Sequence, residues 1–201
     1  MANTFWSQAS LEPKRQFRFE LKLGPFEKYA ITKVARPSFE IGETEHSYLN
    51  HKFYYPGRVT WQDISFTIID PVKPDHTGLL MKMLMASGYR FPNSAEVMRT
   101  ISKSEATSAT GTATILVYGA NNPGSKMDDP SAQLLETWNL KNPWMKSVTM
   151  GDLDYTSDEM LTMDITMRYD WATLSTTEKS PSSNITSPAN KVPDKLTEGT
   201  G

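Results

Sequence analysis

From Leu161 to Trp171 the chain alternates without a fault. Leu161, Met163, Ile165, Met167, Tyr169 and Trp171 occupy one phase, and Thr162, Asp164, Thr166, Arg168 and Asp170 the other. Successive side chains of a strand point to opposite faces, so a period of two gives one apolar face and one Thr/Asp face. A helix would scatter the same residues around its axis. The stretch therefore calls for a sheet with one side on a core and the other in water.

The same beat recurs upstream. In "FRFELKL", Phe17, Phe19, Leu21 and Leu23 alternate with Arg18, Glu20 and Lys22, which predicts a first strand, and "GPF" at 24–26 turns the chain. A second strand is expected from Tyr29 to Val34 and a third around Ser38 to Ile41, with Pro37 restricting where the third can pair. Residues 42–51, "GETEHSYLNH", are polar and without helical period, which predicts the tip of a long hairpin or an extended arm. The return limb, "KFYYPGRVTWQDISFTIID", changes phase between Val59 and Trp61 on one side and Ile64, Phe66 and Ile68 on the other. A slip of one residue inverts the faces, so a bulge or bend is expected near Gln62 and Asp63.

One segment reads as a good helix, 75–87 within "PVKPDHTGLLMKMLMASG". Asp75 can cap it, Leu80, Met83 and Leu84 share a face, and Gly88 can end it. Residues 89–111 read as loops with a short helical turn, and "TATILVY", "LLETWNL" and "MKSVTM" as strands, with a turn-rich loop after Tyr118. From Ser175 to Gly201 the chain turns to Ser, Thr and Pro, with only Ile185, Val192 and Leu196 standing out as apolar. Such a segment cannot bury enough surface by itself to offset the entropy of ordering it. The chain thus divides into an N-terminal arm at 1–12, a β domain at 13–171 with a hairpin arm at 36–58, and a Ser/Thr/Pro-rich tail at 172–201.

At 201 residues the chain suits one domain. A net charge of -2 gives no basic surface with which to grip nucleic acid. The absence of cysteine rules out disulfides and thiolate metal sites. No run of 18 apolar residues occurs and the first residues lack a signal-like apolar core, so membrane insertion is not expected and the chain is expected in the cytoplasm.

Chemistry is hard to find. The acidic turn "GDLDYTSDE" places Asp152, Asp154 and Asp158 close together, but Ser157 stands where a calcium loop needs Gly and Met163 where it needs Glu. His46 and His51, with Glu43 and Glu45, lie in the arm without a ligating spacing. No GxSxG, HExxH, GxxxxGK or GxGxxG motif is present, and three histidines leave little for a triad. No enzyme, metal or cofactor is expected. Asn184 in "NIT" matches a glycosylation pattern, with no secretion signal beside it. Trp6, Tyr48, Tyr54, Tyr55, Trp138, Trp144 and Trp171 fall near strand ends or in loops, either as core and rim aromatics or as anchors of a subunit interface. A row of exposed aromatics would suit a carbohydrate-binding barrel, but the alternations put most of them on the apolar face.

The order of these elements resembles the tail tube proteins of contractile-tailed bacteriophages. "PKRQFRFELKL" opening a first strand, "FYYPGRVTWQDISFTIID" returning from a long hairpin, one helix, and "NPWMKSVTMGDLDYTSDEMLTMDITMRYDW" near the end carry the resemblance, over roughly residues 13–171. In the last stretch Pro143, Val148, Gly151, Leu153, Asp154, Ser157, Glu159, Thr166, Tyr169, Asp170 and Trp171 fall on the family pattern. The segment at 89–111, the loop at 120–132 and the tail depart from it.

The resemblance implies a mainly β fold, a β-sandwich or barrel-like domain with one flanking α-helix, assembling as hexameric rings whose strands join into a barrel around a lumen. Stacked rings would conduct viral DNA during ejection without binding it specifically. The implied partners are further copies, the tail sheath, the baseplate and the tail terminator or neck proteins, in a virion tail assembled in the bacterial cytoplasm. A tube-initiating or baseplate ring, or the inner tube of a phage-derived injection or secretion system, is the alternative. The lumen-facing strand is either 161–171 or the limb at 54–69, which makes Thr60, Gln62, Asp63, Ser65, Thr67, Thr162, Asp164 and Thr166 the candidates. Candidate inter-subunit residues are Phe5, Trp6, Glu43, Tyr48, Leu49, Tyr54 and Tyr55, and the helix would face the sheath.

Overall fold

A computed structural model of the chain describes residues 14–91, 100–119 and 134–176. The alternating segments form ten strands: β1 (Phe19–Leu23), β2 (Ile31–Val34), β3 (Phe39–Tyr48), β4 (His51–Trp61), β5 (Ile64–Ile69), β6 (Ala113–Tyr118), β7 (Leu134–Lys141), β8 (Trp144–Met150), β9 (Thr162–Arg168) and β10 (Trp171–Thr176). Two four-stranded sheets result, in the orders β1-β6-β7-β10 and β2-β5-β9-β8, and β3 pairs only with β4. All pairings are antiparallel.

The core lies between the two sheets. Leu21, Leu23, Ile115 and Leu140 come from the first, and Phe66, Ile68, Met163, Ile165 and Met167 from the second. The apolar phase of the 161–171 stretch is buried from Met163 to Tyr169. Its ends differ from the expectation. Leu161 precedes β9 and is partly exposed, and Trp171 does not close the strand but opens β10, which runs on to Thr176 against β7. Asp170, whose backbone N–H donates to Lys141 O, turns the chain from one sheet into the other. Phe17 likewise falls outside β1, in a turn, and is exposed.

Among the described residues there are two α-helices where the sequence predicts one. In α1 (His76–Ala86) the Asp75 side chain accepts from Gly78 N–H, Leu80 and Met83 face the core, and Gly88 follows the last turn at φ +107. The second, α2 (Lys103–Thr110), corrects the reading of 89–111 as loop with a short turn. Ser102 caps it by accepting from Glu105 N–H, and the Ser102 hydroxyl in turn donates to the Glu105 carboxylate. Ser102 and Glu105 have the Ser-x-x-Glu spacing of a capping box, with the carboxylate here bonded to the Ser102 hydroxyl, although few apolar residues accompany them. α2 packs on α1 and on β8.

The third strand is far longer than expected, and with β4 it forms the arm. At about 3.4 Å per residue the ten residues of β3 reach roughly 30 Å. The arm is rooted by Trp61, whose ring lies 5.4 Å from Phe39 and 6.0 Å from the buried Tyr169. The expected break at Gln62 and Asp63 is present: both lie outside any strand, and there the chain leaves the arm and enters β5. A second irregularity lies within the arm, where Ile41 pairs with Val59 but Glu43 pairs with Pro56. Gly57 permits it, since a Cβ there would sit 3.0 Å from the Gly42 carbonyl oxygen.

Candidate interaction surfaces

The outward face of the β2-β5-β9-β8 sheet is built from the polar phase of each strand. Residues directly opposed across an antiparallel pair share a face. Ser65 opposes Thr166, which opposes Ser147, and Thr67 opposes Asp164, which opposes Thr149. Lys33 opposes Thr67 at the β2 side, and Thr162 opposes Ile69 at one end. The Thr67 hydroxyl donates to Asp164 Oδ1 at 2.6 Å, so the one carboxylate in the middle of this face is tied down. The result is a short-chained hydroxyl surface with scattered charge and no aromatic ring among these residues.

Of the lumen candidates, Ser65, Thr67, Thr162, Asp164 and Thr166 come together on this face. Thr60, Gln62 and Asp63 do not. Thr60 opposes Glu40 in the arm, and the Gln62 amide donates to Glu40 at 3.2 Å. Asp63 lies at the bend, where Lys146 donates to it at 2.6 Å and Arg168 at 2.8 Å. Those two hydrogen bonds hold its carboxyl below the usual aspartate range. It is a clamp between β5, β8 and β9. Lys33, Ser147 and Thr149 belong to the face and were not singled out from sequence, because their strands lack the long alternation that marks β9.

The arm presents unburied apolar surface on both sides. Ile41 opposes Val59 and Glu45 opposes Tyr54 on one side, and Thr44 opposes Tyr55 and His46 opposes Phe53 on the other. Tyr48, Phe53, Tyr54, Tyr55 and Val59 are all exposed, and Leu49 at the tip is 85% exposed with φ 52. A lone two-stranded ribbon is marginal in water, and this one shields nothing. Glu43, Tyr48, Leu49, Tyr54 and Tyr55 therefore stand where a partner can reach them. Phe5 and Trp6 lie outside the described residues.

A third surface is a groove of about 450 Å³ between the two helices and the outermost strand β8, lined by Leu84, Ile101, Ala109, Trp144, Val148 and Met150 among others. The β8–β9 turn beyond it carries Leu153 and Tyr155 fully out in solvent, and Asp154 accepts from Thr156. Among the described residues no group of three or more His, Asp or Glu side chains is placed to hold a metal, and no helix is long and apolar enough to cross a membrane.

No family model and no curated protein matches the sequence. Solved structures match along most of their own length. A chain of the anti-feeding prophage tube-terminating cap is 21% identical over 88% of this chain and 99% of its own, with a TM-score of 0.56. A chain of the anti-feeding prophage baseplate is 14% identical over 83% and 98%, at 0.54. A chain of the sheath-tube complex of an extracellular contractile injection system is 20% identical over 82% and 92%, at 0.50. At such identities the likeness is one of fold, and it agrees with the resemblance drawn from the sequence.

Proposed function

We propose, from a fold shared with chains of contractile injection tubes, caps and baseplates, that this protein is a structural tube subunit. Copies join through the outermost strands β2 and β8 into a hexameric ring, and rings stack into a hollow tube with the hydroxyl-rich face lining the bore. One observation carries the reading: a sheet whose outward face is polar apart from Ile69 at one end and whose two outermost strands are paired on one side only, in a chain whose long arm exposes apolar residues on both sides. Completing the sheet with identical copies satisfies edge groups that otherwise invite uncontrolled pairing.

Apart from Lys33 at the β2 side, the face meets phosphate with short hydroxyl side chains and a tethered carboxylate, too little positive charge for DNA to be gripped as it passes. In a phage tail the cargo is the genome, and the sheath, baseplate and terminator proteins are the further partners. The role involves no catalysis. A second reading, a cap or baseplate ring of an injection system, is supported by the cap and baseplate chains of the same fold.

Electron microscopy of the purified protein separates these. Stacked tubes are expected for a tube subunit, and single rings favour the cap or baseplate reading. A monomer that stays dispersed at high concentration overturns both.

A further inference from the structure

Glu136 stands where its strand calls for a hydrophobe. On β7 it shares a face with Trp138 and Leu140, and opposite these lie Val117, Ile115 and Ala113, all buried. Glu136 itself is only 6% exposed. A buried carboxylate is costly unless every lone pair finds a donor. Three donors reach this one. Lys14 Nζ meets Oε1, Trp138 Nε1 donates to Oε2 at 3.0 Å, and Arg36 Nη1 lies 3.5 Å from Oε2. Burial works against the charge, yet the bonds from Lys14 and Trp138, with the nearby charges of Lys14 and Arg36, hold the carboxyl below the usual glutamate range.

The two cations come from particular places. Lys14 begins the described chain, just after the segment that carries Phe5 and Trp6. Arg36 lies in the link between β2 and β3, at the root of the arm, where Ala35 N–H donates to Ser65 O. One carboxylate of the first sheet thus ties down the roots of both segments assigned to contacts between copies. Buried ion pairs contribute little net stability, and their best-attested use is to fix one arrangement among several.

We infer that Glu136 is a positioning residue: by holding Lys14 and Arg36 together it sets the angle at which the hairpin arm leaves the sandwich. The inference rests on the reading of the arm as an inter-subunit contact. Its first test does not, because the orientation of the arm is measurable in a dilute monomer.

The chain has no cysteine, so spin labels can be placed at Ser47→Cys in the arm and Ser104→Cys on α2 without background. A narrow distance distribution is expected in the parent, and a broadened or shifted one in Glu136→Gln and in Arg36→Gln, with thermal midpoints within a few degrees of the parent. Arg36 is a surface side chain, so its variant folds even if the Glu136 variants do not. For a protein that assembles, the concentration needed for assembly should rise roughly tenfold in either variant, as a coupling of ordinary size would give. An unchanged distance distribution in Arg36→Gln overturns the inference. A parent that never assembles, but whose arm loosens in both variants, supports the positioning role and counts against the tube reading instead.

Discussion

Ile165 and Thr166 are neighbours with opposite fates, the first fully buried and the second on the hydroxyl face. Ile165→Ala should cost about 2–5 kcal/mol, the transfer and cavity cost of a core truncation, whereas Thr166→Ala should stay within about 0.5 kcal/mol. Urea midpoints of the two variants check the contrast. Acid should act through the other buried or tethered groups. Glu136, Asp63 and Asp170 all have carboxyls held low, Asp170 by Asn142 and Lys103. A depressed folded value means that their contribution is complete above the ordinary values of 4.5 and 3.8 and is lost as pH falls through the folded values. Stability should therefore decline below about pH 5, with a shallower decline in Glu136→Gln. At this scale the sequence is legible where alternation is long. The phase of β9 identifies Met163, Ile165 and Met167 as core, and in "LLETWNL" Glu136 shares its phase with Leu134, Trp138 and Leu140, but no local pattern tells that the distant Lys14 and Arg36 arrive to satisfy a carboxylate there.

Of the elements, α1 was legible and α2 was not. The first carries an Asp cap, an apolar face and a terminal Gly. The second, "KSEATSAT", has Ala106 and Ala109 as its only apolar residues, so hydrophobic period, the strongest helix signal, is missing. Its signal was the spacing of Ser102 and Glu105, read together with the packing on α1 and β8 that no local pattern discloses. Ser102→Ala should therefore cost about 1 kcal/mol, the usual worth of an N-cap, seen as a lower unfolding midpoint and faster amide exchange across 103–110. The arm shows the opposite limit. Residues 42–51 were recognisable as a projecting hairpin because they are polar and lack helical period, yet its length was not, since β3 has no buried face to impose alternation. Its strands are held by each other and by the Trp61 root. Replacing 42–51 with a tight turn should leave the unfolding free energy from urea titration within about 0.5 kcal/mol of the parent, as for other surface changes, while abolishing assembly in sedimentation.

For the molecule as a whole, the question is which surface the assembled object turns inward. A core can be recognised in one chain, but a bore exists only between chains, so the polar phase of β5 and β9 reads identically whether it meets bulk water or a lumen. That is why Thr60, Gln62 and Asp63 stand among the candidates beside Ser65 and Thr166: the polarity and the bend at Gln62 and Asp63 were visible, but not the partners, Glu40 in the arm and Lys146 and Arg168 in the sheet, that draw these residues off the face. Charge can distinguish the two faces of a tube. Ser65 and Ser147 are both exposed and flank Thr166 on the hydroxyl face. In Ser65→Lys with Ser147→Lys, neither new cation replaces a residue of the core or of the Asp63 clamp, so folding and assembly should persist. A cation facing phosphate exchanges condensed counterions for itself, which makes retention of nucleic acid fall steeply with salt. Tubes assembled from the double variant in the presence of DNA should hold it at low salt, release it at high salt, and protect it from nuclease while held. Retention that is fully nuclease-sensitive would place the hydroxyl face on the outside of the tube, and the bore would then have to be sought on the β1-β6-β7-β10 sheet.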